Sequence, residues 1–129
     1  MTPGLTDNTG AAVTVALELA ELISSYVVNV AGSRVGRADF VDSPEVAGER
    51  IFFHTEVDQE YGGRGLAGLL VREALADSTR KKLTVVPVCP LFAAHLRKHG
   101  DEFVANGGVF RPPTSADIAL VTRIARGGA

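Results

Sequence analysis

Apolar positions along the chain alternate or run together in its first half and take up a helical period in its second. Tyr26-Val27-Val28-Asn29-Val30 is β-branched and aromatic and predicts a strand. Ala31-Gly32-Ser33-Arg34 reads as a hairpin turn, and Val35 to Val41 as the returning strand. A polar loop follows from Asp42 to Glu49, broken by Pro44 and Gly48. Arg50-Ile51-Phe52-Phe53-His54-Thr55-Glu56-Val57 has few polar interruptions and predicts a central strand. From about Gly65 to Arg80 the period changes. Ala67, Leu70, Val71, Ala74 and Leu75 make one apolar helix face, with Arg72, Glu73, Asp77 and Arg80 on the others. Leu83 to Val88 predicts a fourth strand, in which Pro87 forces pairing to lapse on one side. A short helix is expected from Pro90 to His99, stopped by Gly100. A last helix is expected from Thr114 to Arg126, capped by Ser115. Residues 13–23 fit two templates, a strand from Val13-Thr14-Val15 and a helix from Ala16 to Leu22.

An antiparallel start followed by strand, Gly-rich turn, helix and strand predicts an α/β (α+β) domain, with a mixed, mainly antiparallel sheet built around a βαβ unit. There is no repeat and no linker, so residues 1–129 are expected to form one domain. Residues 1–11 are expected to be a flexible tail, and residues 107–129 an extension that docks on the core or on another subunit. Composition changes little in this picture. The 46% hydrophobic and 22% charged residues are those of a globular protein. A net charge of −2 leaves no basic footprint for nucleic acid. No apolar run approaches a membrane span, and Met1-Thr2-Pro3-Gly4 does not open a secretory signal. The single cysteine, Cys89, excludes an internal disulfide and fits a cytoplasmic protein, expected as a monomer or homodimer.

Gly62, Gly63 and Gly65 stand directly between a buried strand and a helix. Helix-start amides lack internal partners, the dipole adds positive charge, and glycines let backbone approach an anion. Arg64 can add a charged contact. No Gly-Lys-Ser/Thr follows, so this is not a P-loop, and the glycine spacing is not that of a dinucleotide site. A tight turn that binds nothing is the alternative reading of the glycines alone.

The stretch Val57-Asp58-Gln59-Glu60-Tyr61-Gly62-Gly63-Arg64-Gly65-Leu66-Ala67 resembles motif A of the GNAT superfamily of N-acetyltransferases, written Q/R-x-x-G-x-G/A. Gly62 stands at the Q/R position, Gly65 at the central glycine and Ala67 at the final small residue. His54-Thr55-Glu56-Val57 before the turn, with Val86-Pro87-Val88-Cys89-Pro90-Leu91-Phe92 and Lys98-His99 after it, is similar to a minimal subfamily with a V-P-x-C motif. The resemblance spans about residues 25–105. It implies a GNAT-like fold that uses acetyl-CoA, with coenzyme A released. Two strands, 50–57 and 83–88, would splay and admit pantetheine. Thr55, Val57, Gly62, Gly63, Arg64, Gly65, Leu66, Ala67, Pro90 and Phe92 would contact the cofactor, with the backbone of Val57 and Glu56 along pantetheine and the Val57 N–H on the thioester carbonyl.

The same resemblance implies a catalytic role for Cys89, as nucleophile or as acid or base; a small buried residue is the alternative. Its place just before a helix is one that reactive cysteines share. Many of these enzymes use a tyrosine after the second strand to protonate the departing thiolate. Tyr26 and Tyr61 are the only tyrosines here, and neither is there. His54 and Glu56 share a strand face by the period of two and are the candidate bases; a partly exposed strand face is the alternative. Arg97 and Lys98 either satisfy the helix end or meet the 3′-phosphate or adenine of coenzyme A. His95 and His99 lie four apart on one helix face, but two ligands are not a metal site. The expected function is acetyl transfer to a primary amine, with a non-catalytic acyl-CoA-binding module and a plain interaction domain as alternatives. So short a chain leaves little room for acceptor walls, and an open groove suited to an exposed lysine, a peptide or a polyamine is expected.

Overall fold

The computed structural model describes residues 5–127. Six strands form one sheet in sequential order: β1 (Val13–Glu18), β2 (Ser24–Val30), β3 (Ser33–Asp42), β4 (Glu49–Val57), β5 (Thr84–Pro87) and β6 (Val109–Phe110). Pairing is antiparallel from β1 to β4, then parallel from β4 to β6. The helices are α1 (Leu66–Arg80), α2 (Pro90–Ala105) and α3 (Ser115–Ala125). Strand alternation sorts the core into two layers. Phe40, Phe52 and Val85 point to α1 and α2, and their neighbours Val41, Ile51 and Val86 point to α3. The fold is the mixed α/β architecture expected, a mainly antiparallel sheet with a βαβ centre.

The ambiguous segment resolves as strand because its apolar residues have a sheet to join. Val13 and Val15 are buried opposite Val30 and Val28, whereas Leu19 and Leu22 lie exposed and would give a helix no core. Both turn residues between β2 and β3, Ala31 and Gly32, have positive φ, as a two-residue hairpin demands.

Four expectations are corrected. Gly100 does not stop α2. His99 leaves helical geometry (φ −121°), the helix bends there, and it continues to Ala105. Gly100 sits at the bend because the Phe110 ring lies 3.1 Å from where a Cβ would be. Within the extension 107–129, Val109–Phe110 join the sheet as β6 on the edge of β5, and residues 128–129 lie outside the described residues. Thr114, not Ser115, caps α3, in a reciprocal capping box with Asp117. Residues 5–11 are not a loose tail. Thr6 bridges to Ala12, and the buried Asp7 carboxylate accepts from Thr9 N and Oγ1 and from Ala11 N. Residues 1–4 of the expected tail lie outside the described residues.

One irregularity positions everything that follows. On β3, Asp39 faces His54 but Phe40 faces Phe52, so Phe53 is an extra residue on β4. This bulge shifts the alternation of β4 by one. Thr55 and Val57 then return to the face of Phe52, and His54 and Glu56 take the other.

Candidate functional site

β4 and β5 pair only as far as Phe52 opposite Pro87, and the Cys89 N–H closes the ladder on Phe52 O at 2.8 Å. Beyond that point β4 runs on to Val57 against β3 alone. The two parallel strands therefore fork. Asp58 N–H donates to Val35 O at 2.7 Å. By the alternation of an antiparallel ladder, the N–H and C=O groups of Val57 and Thr55 then point away from β3, into the fork. That is an edge of backbone donors and acceptors for an extended ligand to pair with.

At the tip of β4 the chain makes a short 3-10 turn, Gln59–Tyr61, and Gly62 N–H closes it on Gln59 O. Gly63 and Gly65 both take the left-handed conformation, φ 78° and 79°. Nothing lies within 4 Å of a Cβ placed on Gly63. The first α1 bond runs from Leu69 N to Gly65 O, so the amides of Leu66, Ala67 and Gly68 have no partner within the helix. This open, amide-lined cradle fits a pyrophosphate. Leu66 offers only its amide, because its side chain is buried in the core. Arg64 is held to Asp7 at 3.3 Å and stacks over the Tyr61 ring at 4.7 Å. Asn8 adds a contact that sequence reasoning missed. Its N–H donates to Arg64 O, its Nδ2 reaches Gly63 O, and its Oδ1 lies 3.0 Å from a Cβ position on Gly65.

Cys89 caps the N-terminus of α2, as the sequence suggested, with Pro90 exposed at the first helical position. Its thiol is buried, 3.4 Å from Thr55 Oγ1. Fork, thiol and hydroxyl thus meet at one place. Phe92, expected on the cofactor, is a core residue instead. It is fully buried and stacks on Phe52 at 4.3 Å and 13°. Tyr26 is buried between Asp77 and Arg50, which raises its pKa through burial above all, and Tyr61 lies under Arg64. Arg97 and Lys98 border a shallow cleft beside Phe110. A separate groove between α1 and α2 carries Arg72, Arg80, His95 and His99, the two imidazoles 4.9 Å apart.

On the opposite face, His54 Nε2 and Glu56 Oε1 are 2.9 Å apart, the pairing that period two implied. Arg37 and Asp39 of β3 complete a network that sequence reasoning missed. Arg37 bonds Glu56 at 2.8 Å and Asp39 at 3.0 Å, and Ser25 donates to the buried Asp39 at 2.6 Å. The hydrogen bond from His54, then the charge of Arg37, holds the Glu56 carboxyl below its ordinary value. The missed signal is register: Arg37 faces Glu56 and Asp39 faces His54, so two i,i+2 polar pairs stack across one hairpin. Beside this network, α3 and the fork flank an open groove of about 460 Å³. The open groove expected from chain length is thus walled on one side.

Residues 25–105 match the GCN5-related N-acetyl-transferase family. No curated protein matches the chain. Among solved structures, the chain is similar to the ribosomal-protein-S18-alanine N-acetyltransferase of Escherichia coli (18% identity, 50% of this chain and 40% of that one, TM-score 0.44). It is also similar to the ribosomal-protein-alanine N-acetyltransferase of Brucella melitensis (17% identity, 85% and 64%, TM-score 0.44). A third is the aminoglycoside acetyltransferase meta-AAC0020 from an uncultured soil metagenomic sample (11% identity, 82% and 57%, TM-score 0.44). The chain spans less than two thirds of the length of each of the three. Among the described residues, no helix is long and apolar enough to cross a membrane.

Proposed function

The chain belongs to the GCN5-related N-acetyltransferase family, and from that premise we propose that it moves an acetyl group from acetyl-CoA to a primary amine. The observation that carries this reading is the fork. A strand edge, from Thr55 to Val57, opens beside a thiol and ends in an amide-lined turn. Acetyl-CoA supplies an activated thioester. The Gly63–Gly65 turn and the first amides of α1 hold its pyrophosphate, and the open edge of β4 aligns pantetheine along the fork. The Val57 N–H polarises the thioester carbonyl.

The amine enters from the face that carries His54. Its nitrogen forms a bond to the carbonyl carbon as the carbon–sulfur bond breaks. His54, oriented by Glu56, takes the proton from nitrogen and passes it to solvent. The Cys89 S–H gives its proton to the departing thiolate, and Cys89 is restored from solvent through the Thr55 hydroxyl. The burial of Cys89 and its contact with Thr55 favour this role over that of nucleophile.

The test has two arms. Calorimetric titration with coenzyme A reads the cofactor site, and thiol release from acetyl-CoA over a panel of amines reads transfer. His54→Ala is expected to lower kcat by about a hundredfold and leave coenzyme A affinity unchanged. Binding without turnover on any amine would show an acyl-CoA-binding module instead. No binding at all would remove both readings.

A further inference from the structure

The pocket between α3 and the fork has a composition that narrows the acceptor. One end is charged. Arg37 (+1) and Asp39 (−1) line it beside His54, and Glu56 (−1), just outside the lining, bonds both Arg37 and His54, so the bonded cluster as a whole carries a net charge of −1. The walls around that end are apolar, with Ile23, Phe53, Val88, Ile118 and Val121 lining them. Its volume of about 460 Å³ lies in the range of small-molecule sites. Two of those walls, Ile118 and Val121, come from α3, which lies beyond the segment that matches the family. Arg111 locks α3 in place through Asp117 and Glu49.

We infer that the acceptor is a small monoamine with an apolar body, an alkyl or arylalkyl amine, and that α3 selects it. The inference rests on the acetyl-transfer reading above. The single ammonium arrives at the anionic cluster beside His54, which passes one proton to solvent to free the amine and takes the second as the carbon–nitrogen bond forms. The apolar body lies against Ile118 and Val88. A polyamine would lay its second ammonium along these apolar walls, where no lining carboxylate other than Asp39 meets it. A lysine on a folded protein would have to bring its own backbone past α3.

Initial rates with acetyl-CoA test this on the full chain, with phenethylamine, hexylamine, spermidine and a lysine-containing peptide as acceptors. The expected kcat/KM for phenethylamine and hexylamine exceeds that for spermidine and the peptide by about tenfold or more, the size of effect a hydrophobic pocket gives. Ile118 is half exposed, so its substitution leaves the core intact. Ile118→Asp is expected to raise KM for phenethylamine about tenfold with kcat and coenzyme A affinity unchanged, and Ile118→Leu to restore it. A preference for spermidine or the peptide would overturn the inference while leaving acetyl transfer standing. So would an Ile118→Asp variant with wild-type KM. Turnover on no amine at all would overturn the acetyl-transfer reading, and this inference with it.

Discussion

Arg111→Met tests how the extension is fastened to the sheet. Arg111 bonds Glu49 at 2.7 and 2.9 Å and Asp117 at 2.8 and 3.0 Å. The two carboxylates are nearly buried, at 13% and 10% side-chain exposure, and the guanidinium is 32% exposed. The Arg111 hydrogen bonds, aided by those from Thr114 and opposed by burial, lower the Asp117 pKa from 3.8 to about 2. At about 1.36 kcal/mol per pKa unit, that displacement is about 2 kcal/mol. Solvent at the guanidinium screens part of this, and Thr114 keeps its own bonds to Asp117, so about 1–2 kcal/mol belongs to Arg111. Glu49, whose pKa Arg111 also lowers, brings the expected loss to about 2–3 kcal/mol. For a chain of this size the melting temperature should fall by about 10 °C.

The pH dependence carries the sign. A carboxylate with a lowered folded-state pKa contributes fully above its ordinary value of 3.8 and loses its contribution as pH falls through about 2. Thermal unfolding of wild type and Arg111→Met from pH 7 to pH 2 should show a gap that is steady above about pH 5, clear of the ordinary values of both Glu49 (4.5) and Asp117 (3.8), and that closes toward pH 2. Arg111→Lys should recover part of the gap, since it restores charge without the fork geometry. No gap at pH 7, or a gap that persists at pH 2, would refute the latch.

Cys89→Ala should fold, bind coenzyme A as wild type does, and lose at least about tenfold in kcat, with Cys89→Ser retaining more; wild-type turnover in both variants would take Cys89 out of the chemistry. Gly65→Val places a β-branched residue at φ 79° and against Asn8, so coenzyme A affinity in calorimetry should fall by about tenfold or more, with about 1–3 kcal/mol of stability; unchanged affinity would remove the turn from the cofactor site. Gly36→Val puts a Cβ 2.8 Å from Glu56 O and 3.1 Å from Val57, which should displace the open edge of β4. Urea unfolding should show a loss of about 1–3 kcal/mol together with weaker coenzyme A binding, and loss of neither would mean that β4 tolerates the shift.

What could be read from the sequence is what local chemistry decides. The Ala31-Gly32 turn, the Gly63 and Gly65 positions and the apolar face of α1 each need only a few adjacent residues, and each forms where expected. What escaped depends on partners distant in the chain. β6 is two residues long and exists because β5 offers it an edge, and α2 runs through Gly100 because Phe110 packs there. Residues 5–11 fold back on the sheet's edge turn because Asp7 gathers its own turn and reaches Arg64, 57 residues away.

The candidate site divides in the same way. His54 and Glu56 could be paired from period two alone, but period two also places Phe52 with them, and the bulge at Phe53 forbids that. The bulge has a consequence for chemistry. Without it, Thr55 and Val57 would turn away from Cys89, and His54 would point into the layer that holds α1 and α2. With it, one five-residue stretch of β4 presents Thr55 and its backbone edge to the thiol side of the sheet and His54 with Glu56 to the side that α3 covers. Thioester and amine can then approach from opposite faces of one strand. Chain length argued for an open groove on the second face, yet the residues beyond 105 supply α3 and close one side of it. Those residues lie outside the family match, so the proposed acceptor groove takes one wall from the part of the chain that the family resemblance leaves out.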